Sequence, residues 1–321
     1  MITLSKIALL AHVSVATVSK AFSMSSEVNE QTREMIFDIA KKYGCFKKFF
    51  NAKYPKFVVA VICPEFQSLH YSTALSYIQK YLSMHNCETC VASTDFSAES
   101  EGGLFEYYSK YAAVDAIISI GGGLKIDKTL EIPVVCIGSS ERGEGGISLS
   151  LDYKPAMTEA IEYFINKDVK NIGFIGERLT EAKLKLFKDI IKEKLFPLNE
   201  NYISITDERF EMGGYRAMEK LFETDSVPRA LICAYDYMAI GAIKCIYDKG
   251  LRVPEDIAVL GMDDIPESQF LNPPLSSINP QTDALCRSAV DLIISRLTDK
   301  KLEDITYDPP KVCFRRSTEI D

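Results

Sequence analysis

From residue 57 onward, short β-branched runs alternate with helical stretches, and the alternation occurs twice. Residues 57–63 read Phe-Val-Val-Ala-Val-Ile-Cys, an unbroken apolar run that stops at Pro64. A strand that is apolar on both faces belongs inside a parallel sheet covered by helices. The spacing then predicts a helix over 72–84, a strand over 89–92, a helix over 101–111, strands over 116–120 and 133–137, and a helix over 156–165. A second series starts at 171–175 and continues through helix 182–194, strand 202–205, helix 213–222, strand 230–233, helix 238–248 and strand 257–260. A helix over 283–297 follows. This α/β alternation predicts two doubly wound parallel-sheet subdomains. Ligands of such sheets sit beyond the carboxyl ends of the strands, so the expected site is a cleft between the two halves.

The first 56 residues follow a different rule. Apolar positions recur at helical spacing in three short blocks. Ile7, Ala8 and Ala11 share a face in the first, with Thr3 or Ser5 as its cap. Val18, Ala21 and Phe22 share a face in the second, capped by Ser14. Met35, Ile39 and Tyr43 lie at i, i+4, i+8 in the third, which Asn29 opens and Gly44 ends. Two short helices joined by a tight turn and covered by a third describe a three-helix helix-turn-helix head, and Val15, Ala16, Ser19 and Lys20 point away from its core. Charge agrees with this division. The net charge is −8, yet residues 1–56 carry nine Lys/Arg against four Asp/Glu, a net of +5, which leaves −13 for the rest. A basic head on an acidic body predicts that the head meets a polyanion and the body does not.

Three segments of the head are specific: Thr3-Leu4-Ser5-Lys6-Ile7-Ala8, Val13-Ser14-Val15-Ala16-Thr17-Val18-Ser19-Lys20 and Val28-Asn29-Glu30-Gln31-Thr32-Arg33-Glu34. Together they resemble the head of the lactose-repressor/galactose-repressor (LacI/GalR) family of bacterial transcriptional regulators. The resemblance continues through Asn171-Ile172-Gly173-Phe174-Ile175-Gly176, Ala234-Tyr235-Asp236-Tyr237-Met238-Ala239, Gly250-Leu251-Arg252-Val253-Pro254, Gly261-Met262-Asp263-Asp264 and Arg316-Ser317-Thr318, and so covers almost the whole chain. It implies a periplasmic-binding-protein-like body behind the head. The expected division is a helix-turn-helix domain over 1–45, a hinge or linker over 46–56 and an effector-binding domain over 57–321. Within the last, an N-subdomain takes about 57–166 and 282–305 and a C-subdomain about 167–281 and 306–321.

By that resemblance Val15, Ala16 and Lys20 read bases, while the hydroxyls of Thr17 and Ser19 reach phosphate. Lys6, Phe49, Phe50 and Lys53 complete the DNA-facing set. Lys20 stands where the family often has Arg, and a lysine is a point charge where an arginine grips guanine bidentately. His12 stands at a turn position where the family often has Gly. The linker is basic and aromatic, carries Pro55 and lacks the leucine pair with which family members wedge open the minor groove. Phe49 and Phe50 either replace those wedges or pack on the head or body.

The same resemblance implies effector contacts from Phe66, Tyr71, Tyr153, Lys185, Arg209, Tyr235, Asp236 and Asp263. Asp236 is expected either to accept from ligand hydroxyls or to sit as an acid at the N-terminus of helix 238–248. Lys185 aligns with a cleft arginine, whereas a solvated helix face fits Lys183 and Lys188. No tryptophan is present, so stacking on a sugar falls to Phe66, Tyr71, Tyr153 or Tyr235. The implied protein is no enzyme. It is a cytoplasmic homodimeric repressor whose partners are double-stranded operator DNA and a small effector, expected to be a carbohydrate or related metabolite. The alternative is a cytosolic binding module or enzyme whose DNA binding is weak or lost.

Other chemistry finds little support. Gly121-Gly122-Gly123 lacks a following Gly-Lys-Ser/Thr, and neither a Gly-x-Ser-x-Gly nor a His-Glu-x-x-His motif occurs. Cys87 and Cys90 form an isolated C-x-x-C among nine scattered cysteines, which read as reduced core residues. No cofactor or metal is expected. No apolar run approaches the roughly 18 residues needed to span a bilayer.

Overall fold

The computed structural model describes residues 2–50, 57–112, 114–121, 130, 132–138, 146–224, 227–298 and 307–320. The head opens with α1 (Leu4–Leu10), α2 (Val15–Phe22) and α3 (Glu30–Lys42). Each starts at a short polar side chain that satisfies an otherwise orphaned backbone donor. Thr3 accepts from Lys6 N–H, Ser14 from Thr17 N–H and Asn29 from Thr32 N–H. Gly44 follows the last helix at φ +63°, a conformation that glycine enters without a Cβ penalty. Ile7, Val18, Ala21, Ile36 and Ala40 are fully buried and form the head's core. A fourth helical turn, α4 (Phe46–Phe49), was not expected from the sequence.

The chain divides into two units. The first holds residues 1–149 and 286–305, the head included, and the second holds 150–285 and 306–321. The sheet of the first contains β1 (Phe57–Cys63), β2 (Cys87–Ser93), β3 (Ala116–Ile120), β4 (Val134–Ile137) and β5 (Ile147–Leu149), in the order β2-β1-β3-β4-β5 with every pair parallel. Helices α5 (Leu69–Met84) and α6 (Ala98–Glu106) belong to it, and a π-helical turn (Tyr107–Tyr111) ends α6.

The second unit repeats this plan. Its elements are α7 (Lys154–Asn166), β6 (Ile172–Glu177), α8 (Glu181–Glu193), β7 (Ile203–Thr206), α9 (Phe210–Phe222), β8 (Ala230–Cys233), α10 (Asp236–Asp248), β9 (Ala258–Met262) and β10 (Ser276–Asn279). After α11 (Thr282–Thr298) the chain returns as β11 (Lys311–Cys313), antiparallel to β10. The order is β11-β10-β9-β8-β6-β7, and all pairs except β10–β11 are parallel. Strand order reverses between β6 and β8, which opens a crevice at their carboxyl ends.

Helix α7 is a difference from the sequence reading, which gave it to the first subdomain. Ala156, Met157, Ala160, Ile161 and Phe164 on α7 are buried with Phe174, Phe187 and Ile190 in the core of the second unit. The division therefore falls near residue 150, because the apolar face of α7 is complementary to that core.

Candidate functional site

Helix α2 turns Val18, Ala21 and Phe22 inward and leaves Val15, Ala16, Ser19 and Lys20 exposed. Four of the expected DNA-facing residues thus share one solvent face, as the 3.6-residue period requires. Thr17 differs, since its hydroxyl lies 2.8 Å from Ser14 Oγ at the helix start. Lys6 is exposed on α1. Lys20 Nζ donates to Glu27 Oε2 in the turn that follows α2. His12, in the turn between α1 and α2, takes φ +53°, which costs a residue with a Cβ conformational energy that glycine escapes.

Phe49 and Phe50 are not presented as wedges. Helix α4 folds them back onto the head, where Phe49 lies 5.8 Å from Phe22 and Phe50 lies 5.4 Å from Phe37, centroid to centroid. Phe46 stacks on Phe50 at 4.8 Å and meets Phe37 edge-on at 4.9 Å. Five aromatic rings thus close the underside of the three-helix core, which removes from water apolar area that a free wedge would expose. Lys53 lies outside the described residues.

At the carboxyl ends of β6, β8 and β9 the second unit gathers ionised side chains. Lys183 on α8 donates to the carbonyl of Ala234 (2.7 Å), approaches Asp263 Oδ1 (3.6 Å) and lies 5.4 Å from the centre of the Tyr153 ring. Arg209 Nε donates to Glu177 Oε1 (3.1 Å) at the end of β6, and its guanidinium covers the Phe210 ring at 4.6 Å. The Tyr235 hydroxyl donates to the same Glu177 oxygen (3.3 Å) and accepts from Phe210 N–H (3.0 Å). Burial raises the Tyr235 phenol, so it stays protonated and able to donate. Arg315 Nη2 sits 2.7 Å from Asp264 Oδ1.

Two of the expected effector residues have other partners here. Lys185 projects into solvent, 80% exposed, and pairs with Asp189 one turn along α8. Residues i and i+2 of a helix lie about 200° apart, so only one of Lys183 and Lys185 can face the sheet. Lys183, 22% exposed, is that residue.

Asp236 is completely buried. Its oxygens accept from Ser277 Oγ (2.6 Å), Ser268 Oγ (2.6 Å) and Ile265 N–H (2.9 Å). Burial outweighs these bonds and pushes the carboxyl up to about 7. The side chain faces inward at the first turn of α10, and the second of the two expected roles is the one its position fits. It ties β8 and α10 to the segment after β9 that carries Asp263 and Asp264. Ser277 extends the tie by accepting from Asp264 N–H (2.9 Å).

Tyr153, Arg209, Tyr235 and Asp263 all belong to this second-unit cluster. Phe66 and Tyr71 belong to the first unit, where Phe66 is exposed and Tyr71 packs edge-on against His70 and Phe96. Sequence reasoning missed Glu177, Lys183, Asp264 and Arg315. Glu177 offered a signal, a lone carboxylate closing an otherwise apolar strand. Cys87 and Cys90 lie three apart on β2 and so point to opposite faces. Among the described residues no group of three His, Cys, Asp or Glu could hold a metal ion.

Comparison with known proteins bears on the family and the fold. Residues 3–44 match the model for bacterial regulatory proteins of the lacI family, and residues 161–318 match that for a periplasmic binding protein-like domain. Catabolite control protein A of Priestia megaterium is 28% identical over 99% of both chains. The HTH-type transcriptional repressor PurR of Pasteurella multocida is 35% identical over 50% of this chain and 49% of its own. The solved lac repressor dimer bound to operator shares the fold at a TM-score of 0.74, with 18% identity and 99% of each chain covered.

Proposed function

This chain belongs to the lacI family of bacterial regulatory proteins, and from that premise we propose that it is a repressor acting as a homodimer on a two-fold symmetric operator. Membership makes it a DNA-binding transcriptional regulator and not an enzyme. The observation that carries the reading is helix α2, whose exposed face of Val15, Ala16, Ser19 and Lys20 lies within the matched head. A short helix with small side chains toward its N-terminus fits the major groove closely. Among the described residues no helix is long and apolar enough to cross a membrane. The protein works in the cytoplasm, where its DNA is.

Operator affinity is set by a small molecule held at the carboxyl-end rim of the second unit. Lys183 and Asp263 place a donor beside an acceptor, a pairing suited to adjacent hydroxyl groups. Tyr153 supplies an apolar face beside them. The effector is therefore a carbohydrate or a similarly hydroxylated metabolite. Thermal stabilisation by a panel of mono- and disaccharides and sugar acids tests this reading. A compound that stabilises the protein must change operator affinity, and operator must change the compound's affinity by the same factor. Stabilisation with no effect on DNA binding would refute the coupling.

A further inference from the structure

Helix α2 carries one charged residue, Lys20. In the protein without DNA that charge is engaged, because its ammonium donates to the Glu27 carboxylate. The turn that presents Glu27 is fixed from behind. Arg33 Nη2 donates to the carbonyls of both Ser25 and Val28, each at 2.8 Å, and so brackets Glu27 on either side. Glu27 N–H also donates to Ser25 Oγ (3.3 Å), and Val28 is buried in the head core. Val15, Ala16 and Ser19, the other exposed residues of the reading face, are uncharged. The reading face and its pinned acid therefore present no net charge.

We propose that Glu27 is a selectivity determinant for operator binding, holding Lys20 away from the phosphates of arbitrary DNA and releasing it to a base edge at the correct site. This rests on the regulator reading above. Non-specific affinity comes almost entirely from cationic side chains that displace counterions from phosphate. A lysine that must first leave a carboxylate displaces fewer, even where the pair is exposed to solvent as here, and the carboxylate beside it repels the backbone. At the operator, a guanine offers the ammonium two acceptors, N7 and O6, at a defined place in the groove. The cost of separating the pair is met there and not on random sequence. Specificity is a difference of affinities, and an element that weakens the wrong complex widens it.

The test is a double-mutant cycle on the full-length protein, with a short duplex of random sequence as the probe, titrated across a salt series. Glu27→Gln is expected to bind this duplex about three- to ten-fold more tightly at low salt, with a salt slope steeper by about one ion. In a Lys20→Gln background the gain should disappear. Unchanged or weaker binding by Glu27→Gln, while Lys20→Gln weakens it, overturns the proposal and leaves the regulator reading standing. A gain that persists without Lys20 also overturns it, because Glu27 then acts by direct repulsion and not through the lysine. If neither substitution alters duplex binding, the proposal is likewise overturned, because Glu27 then holds nothing back from phosphate.

Discussion

The Asp236 carboxylate occupies the space that a side chain on Gly261 would need, since a Cβ built there would stand 2.1 Å from Asp236 Oδ1. Neither neighbour can yield easily, because Ser277 and Ser268 hold the carboxylate and β9 lies between β8 and β10. Gly261→Ala should therefore cost about 1–3 kcal/mol, the usual range for an overpacked interior. The midpoint of urea unfolding checks this, and an unshifted midpoint counts against the packing described.

Asp236 should also make stability depend on pH. An unfolded chain's aspartate titrates near about 3.9, whereas burial pushes the folded carboxyl up to about 7. Between those values the folded protein keeps a proton that the unfolded chain has released. The contribution of this group is complete below about pH 4 and drains away as pH rises through about 7. Unfolding free energy measured from pH 5 to pH 8 should fall more steeply for the natural protein than for Asp236→Asn. Equal slopes would show that the carboxylate is not the titrating group.

Phe50→Ala should act on the head's stability before it acts on DNA recognition. Phe50 packs on Phe37 and Phe46, and truncating a partly buried aromatic costs about 1–3 kcal/mol, below the range for a fully buried one. Hydrogen exchange at the amides of α3 is the direct readout. Faster exchange is expected. Unchanged exchange with weaker operator binding would restore the wedge role considered for this residue.

Lys183 and Lys185 should separate cleanly in an effector assay. With any compound from the panel that stabilises the natural protein, Lys183→Ala should lose at least about ten-fold in affinity, in line with removal of a charge-assisted hydrogen bond. Lys185→Ala should bind as before. The reverse pattern would mean that the outward-facing lysine reaches the ligand.

What could be read directly from the residues was whatever repeats locally. Runs such as 57–63 and 172–175 have no polar residue to turn outward, so they had to be central strands. The caps Ser14 and Asn29 fixed two helix starts by chemistry alone. Three-residue β5 and β11 were missed because two or three apolar residues form no period. Helix α4 was missed because its apolar residues also suited a free linker. At the rim, the fate of Asp236 was settled by Ser268 and Ser277, 32 and 41 residues away. No local pattern reports such partners. The choice between Lys183 and Lys185 turned on the rotation of α8 against its sheet, which two lysines separated by one residue leave undetermined.

The central claim, that a two-fold symmetric DNA site is read by α2 of each protomer, is tested most directly by selecting binding sites from random duplex DNA with the purified full-length protein. The account predicts enrichment of a palindrome whose half-sites present the same groove face, and loss of preference at one base position in each half when Lys20 is replaced by Ala. Enrichment of no sequence, or of one without two-fold symmetry, would contradict it.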